Sequence, residues 1–120
     1  MLNVPESTTP LGKLRPLAEL GETAAAFRAA GETVVLAHGT FDLLHIGHLR
    51  HLREAKRHGT RLFVTITADA FVNKGPGRPI FSEHMRAEML GALEFVDAVG
   101  IILAGTEPVA AQAEGHDDTK

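Results

Sequence analysis

At 120 residues, 44% of them hydrophobic, the chain is long enough for one compact domain and too short for two. Its 12 basic residues are scattered and outnumbered by 15 acidic ones, for a formal net charge of −3, which excludes a broad nucleic-acid face. With no cysteine there is no disulfide framework and no thiol chemistry, and a reducing cytoplasm is the expected setting. The opening Met1-Leu2-Asn3-Val4-Pro5-Glu6 lacks a secretory pattern and no apolar run approaches bilayer-spanning length, so no membrane partner is expected.

In chain order, residues 1–16 carry Ser, Thr and three Pro and read as a flexible lead-in. Leu17, Leu20, Ala24 and Phe27 then predict an amphipathic helix ending near Ala30-Gly31, packed outside a sheet. The β-branched, apolar run Val34-Val35-Leu36-Ala37 predicts a buried parallel strand over 33–37. Ile46, Leu49, Leu52 and Ala55 recur at helical spacing over 46–57, with Arg50, Arg53, Lys56 and Arg57 on other faces and Gly59 as the stop. A strand over 61–67 completes a right-handed βαβ unit. Ser82 is the expected N-cap of a helix through Leu93 whose apolar side is Met85, Met89, Ala92 and Leu93, and Ala98 to Leu103 is the third strand. The expected architecture is therefore α/β, a small parallel sheet covered by helices, spanning 17–106, followed over 107–120 by a short helix start and a polar tail.

Between the first strand and the second helix runs Gly39-Thr40-Phe41-Asp42-Leu43-Leu44-His45-Ile46-Gly47-His48. A helix start presents unpaired N–H groups and the positive end of the dipole, and Gly47 brings no side chain to hold a phosphate off the backbone. His45 and His48 are one turn apart, so both rings reach one group of oxygens, whereas His51 is rotated by roughly 120° and leaves the site. A histidine pair alone would also suit ordinary capping, but the adjoining Gly-Thr-Phe-Asp favours phosphate binding. A zinc site from His45, His48 and His51 is disfavoured by that rotation and by the lack of cysteine or a fourth local ligand. Lys74-Gly75-Pro76-Gly77-Arg78-Pro79 reads either as a stiffened connection or as an anion clamp with two cations flanking glycines.

The run GTFDLLHIGH resembles the first motif of the cytidylyltransferase-like nucleotidyltransferases, a superfamily with a Rossmann-like fold that shares its His-x-Gly-His sequence with class I aminoacyl-tRNA synthetases. The likeness extends over roughly residues 33–103. It includes Thr65-Ile66-Thr67-Ala68-Asp69, the Lys74–Pro79 loop, Glu83, Arg86, and Ala92-Leu93-Glu94-Phe95-Val96-Asp97-Ala98-Val99. It is similar most of all to the glycerol-3-phosphate cytidylyltransferase and heptose 1-phosphate adenylyltransferase branches, with Arg78-Pro79 and the Ala-Leu-Glu-x-Val-Asp run leaning toward the latter.

The resemblance implies transfer of a nucleotidyl group from ATP or CTP to a small phosphorylated acceptor, with release of pyrophosphate. His45, His48 and Lys74 are the implied catalytic groups, and Gly39, Thr40, Phe41, Asp42, Gly47 and Arg78 hold the nucleotide. His38, Lys74 and Arg86 are the substrate-binding candidates. Magnesium is expected on the triphosphate with few protein ligands, Asp42 being either such a ligand or a cap for its own turn.

The chain departs from the family after the third strand. Family members continue through a Lys-Gly-containing strand segment and a Ser/Thr motif that opens a late helix over the triphosphate, and neither is found here. The fold is thus expected to be incomplete at its C-terminus, with the first strand an exposed edge that a homo-oligomer would cover. Two function classes stay open: an active nucleotidyltransferase, and a truncated module that binds nucleotide or phosphate without transfer. A synthetase reading is weaker, because 120 residues cannot hold a synthetase catalytic domain and its tRNA-binding parts.

Overall fold

Three β-branched, aliphatic runs form three parallel strands, because only a strand covered by helices on both faces suits such continuous apolarity. The computed structural model describes residues 9–72 and 75–103. Within them the order is α1 (Leu17–Ala29), β1 (Val34–Gly39), α2 (Ile46–Lys56), β2 (Arg61–Thr67), α3 (Glu83–Gly91) and β3 (Ala98–Ile102), with 3-10 turns at Leu11–Lys13 and Asp69–Phe71. The sheet order is β1-β2-β3. Val34 to Gly39 pair with Arg61 to Ile66, and Phe63 to Thr67 pair with Ala98 to Ile102.

β2 is the central strand, and Leu62 to Ile66 are buried without interruption. On one face Leu20, Ala24 and Phe27 of α1 pack against Phe63 and Ala98, with the Phe27 and Phe63 rings edge to face at 6.0 Å. On the other, Leu52 of α2 and Ala87 and Leu90 of α3 cover Val35, Ala37, Leu62, Val64, Ile66 and Val99. The N-terminal ends of the strands are tied by charge. Asp97 accepts from Leu62 N at 2.8 Å and pairs with Lys56 and Arg61, each at 3.3 Å, while Arg61 also holds Glu32 at 2.9 Å. The C-terminal ends are thereby left to the loops that carry the motif, where open α/β sheets place their ligands. Among the described residues β1 has only β2 as a neighbour, which makes it an edge strand as expected.

Three expectations are corrected. Residues 9–16 are not a loose lead-in: Lys13 is buried and donates from Nζ to Leu93 O at 3.2 Å, Leu14 bridges Val99, and Arg15 N donates to Val99 O at 2.9 Å. This segment packs so closely on α3 that a Cβ at Gly91 would run into the Pro10 carbonyl. α3 is rotated from its expected stripe. Its buried residues are Arg86, Ala87, Leu90 and Gly91, while Met85 is 50% exposed and Ala92 is exposed. The cause is Arg86, a cation that turns inward because it finds carbonyl partners there. Finally, β1 runs two residues beyond Ala37, so His38 and Gly39 belong to the sheet. Residues 104–120, where the short helix start and polar tail were expected, lie outside the described residues.

Candidate active site

The motif leaves β1 at Gly39, turns through Thr40, Phe41 and Asp42, and enters α2 at His45. Phe41 adopts φ 56°, the left-handed region a non-glycine residue enters only when its surroundings compel it, at a typical cost of about 1–3 kcal/mol. The compulsion is burial. Its ring is 2% exposed and folds back over Gly39, where a Cβ would sit 2.8 Å from it. The same ring meets His48 edge to face at 5.2 Å. Gly39 and Phe41 therefore build the wall behind His48.

His45 caps α2 in an unusual way. Its Nδ1 accepts from Gly47 N at 3.0 Å, and His48 Nδ1 accepts from His45 N at 3.1 Å. Imidazoles thus do what Ser or Thr and Glu do in a reciprocal helix cap. The two bonds also decide the tautomer, because a neutral ring that accepts at Nδ1 carries its proton on Nε2. The rings lie 3.9 Å apart between centroids at 34°, His48 buried and His45 exposed, so the pair forms a platform at the start of α2.

Gly47 is needed for a reason the sequence did not suggest. A Cβ there would lie 2.9 Å from His45 Cε1, so only glycine lets that ring close over the helix end. Its N–H, expected to face a phosphate, is instead donated to His45 Nδ1.

Asp42 does not cap its own turn but is committed to the segment around Arg78. Its carboxylate is buried and accepts from Ile80 N at 2.7 Å, Phe81 N at 2.9 Å and Arg78 Nε at 2.9 Å. Burial pushes the carboxyl up, but the Phe81 and Ile80 N–H groups and the Arg78 guanidinium outweigh it and hold Asp42 below its ordinary value. Among the described residues no group of three His, Cys, Asp or Glu side chains is placed to hold a metal ion.

Arg86 is likewise corrected. It was expected to touch substrate, yet it is fully buried. Its Nη1 donates to Thr40 O at 3.0 Å and Thr67 O at 2.8 Å, Nε to Phe81 O at 3.0 Å, and Nη2 to Asp69 Oδ1 at 2.7 Å. With four N–H bonds made inside the protein, it joins the ends of β1 and β2 to the entry of α3 and cannot reach a ligand. Glu83 accepts from Asp69 N at 2.8 Å and completes this joint, a role for Asp69 and Glu83 that the family likeness alone does not reveal.

Thr40 is buried, with its carbonyl on Arg86. His38 is half-buried near the C-terminal end of β1, its Nδ1 hydrogen-bonded at 2.9 Å to Oγ1 of the fully buried Thr65. Lys74 lies outside the described residues.

With this geometry in view, the comparisons with known proteins agree on one family. The cytidylyltransferase-like family model matches residues 36–109, well over half of the chain. The chain belongs to the cytidylyltransferase-like family. It is 42% identical over 89 residues to the bifunctional protein HldE of Syntrophotalea carbinolica, covering 72% of this chain and 18% of that protein. The HldE of Koribacter versatilis is 46% identical over 85 residues, 69% of this chain and 18% of that one. The chain therefore spans less than a fifth of the length of these curated relatives. Among solved structures, the lipopolysaccharide core biosynthesis protein of Thermoplasma volcanium is 35% identical with a TM-score of 0.58, covering 62% of each chain. This cytidylyltransferase-like domain thus has a Rossmann-like parallel sheet, and His45 and His48 follow the C-terminal end of its first strand.

Proposed function

We propose that this domain transfers a nucleotidyl group from ATP or CTP to a small phosphorylated acceptor, a sugar phosphate or glycerol phosphate. An acceptor phosphate oxygen attacks the α-phosphorus, the bond from that phosphorus to the bridging oxygen of the β-phosphate breaks, and pyrophosphate leaves with the electron pair. No covalent enzyme intermediate is needed, so the protein's task is positioning and charge neutralisation.

The observation that carries this reading is the reciprocal cap of His45 and His48, which fixes both rings at the helix start and leaves the proton of each neutral ring on Nε2. Donors held rigidly before reaction lose nothing to reorganisation when negative charge shifts onto the phosphate oxygens. Phe41 backs His48, and Arg86 holds the Thr40 carbonyl, so the turn before the platform is braced on both sides. Magnesium would enter with the triphosphate as part of the substrate, and Lys74 would supply a further cation from its loop. The similarity to HldE proteins and the Arg78-Pro79 run favour ATP and a sugar 1-phosphate.

The test is pyrophosphate release by the full chain with ATP or CTP, magnesium and a panel of sugar phosphates and glycerol phosphate. Loss of one transition-state donor costs about 3–4 kcal/mol, so His48→Ala should slow turnover by two to three orders of magnitude. Near-native turnover in that variant would overturn the assignment, and nucleotide binding without any turnover in the wild type would favour the non-catalytic module.

A further inference from the structure

Asp42 and Arg78 stand 36 positions apart in sequence, yet they are joined side chain to side chain and side chain to backbone. Arg78 Nε donates to Asp42 Oδ2 at 2.9 Å, and Arg78 Nη2 donates to the Asp42 carbonyl. The carboxylate is wholly buried, whereas a quarter of the arginine side chain remains exposed. A guanidinium has five N–H groups in a rigid plane, and here one edge faces Asp42. Among the described residues nothing accepts from Nη1.

The position of this pair matters. Asp42 lies on the short turn between Phe41, which backs His48, and His45, which caps α2. Ile80 and Phe81 also donate to Asp42, so the far end of the glycine-containing loop is fastened to the same turn as the imidazoles. The loop's other flank is fastened as well, through Asp69 to Glu83 and Arg86. An arginine at the end of such a loop would ordinarily be a flexible cation; this one is locked to a buried carboxylate.

We propose that Asp42 is a positioning residue, which touches neither nucleotide nor metal but fixes Arg78 so that its Nη1 edge meets a phosphate held at the histidine platform. This deepens the nucleotidyltransferase reading and rests on it. The physical advantage is preorganisation: an arginine already in its binding rotamer surrenders little side-chain freedom when the anion arrives. The arrangement also accounts for a carboxylate inside a phosphate-binding motif, where an unpaired negative charge would repel the ligand.

The test is a double-mutant cycle read by calorimetric binding of inorganic tripolyphosphate and of ATP to the full chain. Arg78→Met should weaken tripolyphosphate binding by about tenfold, Asp42→Asn should weaken it comparably, and the double variant should be no worse than Arg78→Met alone. Arg78→Lys should fail to restore affinity, because an ammonium has no fork to dock on Asp42. Additive losses, or an unchanged affinity in either single variant, would overturn the proposal. Should Asp42→Asn not fold, the partly exposed Arg78 decides alone: wild-type affinity in Arg78→Lys overturns it, and loss equal to that of Arg78→Met supports it. A wild-type chain that binds no triphosphate overturns the functional reading together with this one, whereas wild-type binding that ignores Arg78 overturns this one alone.

Discussion

Replacing Arg86 by Met removes a buried guanidinium while keeping much of its volume. Left behind are the carbonyls of Thr40, Thr67 and Phe81 and the Asp69 carboxylate, all of which accept from it. A buried acceptor stripped of its partner costs about 1–3 kcal/mol. Asp69 is 40% exposed, so water recovers part of its loss, and breaking the pair falls toward the lower end of the about 3–5 kcal/mol typical of buried ion pairs. Because the bonds to Thr67, Phe81 and Asp69 are only part-buried, water recovers much of their loss, and Arg86→Met should fall about 3–5 kcal/mol below the wild type, a large share of the about 5–15 kcal/mol that holds a domain together. Urea denaturation followed by circular dichroism measures the difference, with Arg86→Lys as the partial rescue, since an ammonium offers three donors where the arginine uses four. A stability loss under about 1 kcal/mol, or an Arg86→Lys protein of native stability whose KM for the acceptor alone rises, would refute the structural role and restore the substrate-binding one.

Gly47→Ala should separate stability from function. Alanine favours a helix by about 1 kcal/mol over glycine, but the new methyl group displaces the His45 ring and its cap, worth about 0.5–2 kcal/mol, so the melting temperature should move by only a few degrees. Pyrophosphate release should nevertheless fall at least about tenfold, and an unchanged rate would show that the His45 ring position is immaterial. Asp42 predicts an acid limb. Its folded pKa lies below the ordinary 3.8, so its contribution is complete above that value and is lost as pH falls through the lower folded one. The stability gap between wild type and Asp42→Asn should be constant above about pH 5 and shrink below the ordinary value; a gap independent of pH would contradict the charged, bonded carboxylate.

Local structure was legible wherever the backbone pattern is set by near neighbours. The strand over 61–67 and the helices opening at Leu17 and Ile46 follow from apolar periodicity and the punctuation of Gly31 and Gly59, and they stand where that periodicity puts them. α3 was misread because Met85, Met89, Ala92 and Leu93 make a plausible apolar stripe, and nothing local announces that an arginine one position along will be buried instead. The lead-in was misread for a similar reason. Its Ser, Thr and Pro content suits a loose segment, and the contacts that order residues 9–16 are with Leu93 and Val99, some eighty residues away.

The sequence by itself determined the α/β class, the family, and a histidine pair at a helix start behind Gly-Thr-Phe-Asp, because spacing within one turn is enough to place two rings on one face. Only the tertiary structure decided what each polar atom does there. It turned Nδ1 of both imidazoles onto the backbone, gave Asp42 to Arg78 and the loop that follows, and buried Arg86 among the Thr40, Thr67 and Phe81 carbonyls. The imidazole bonds are local, but the pairings of Asp42 with Arg78 and of Arg86 with Thr40 join residues 36 and 46 positions apart that the sheet brings together, and a charged side chain's role is set by the partner it finds rather than by its neighbours in sequence.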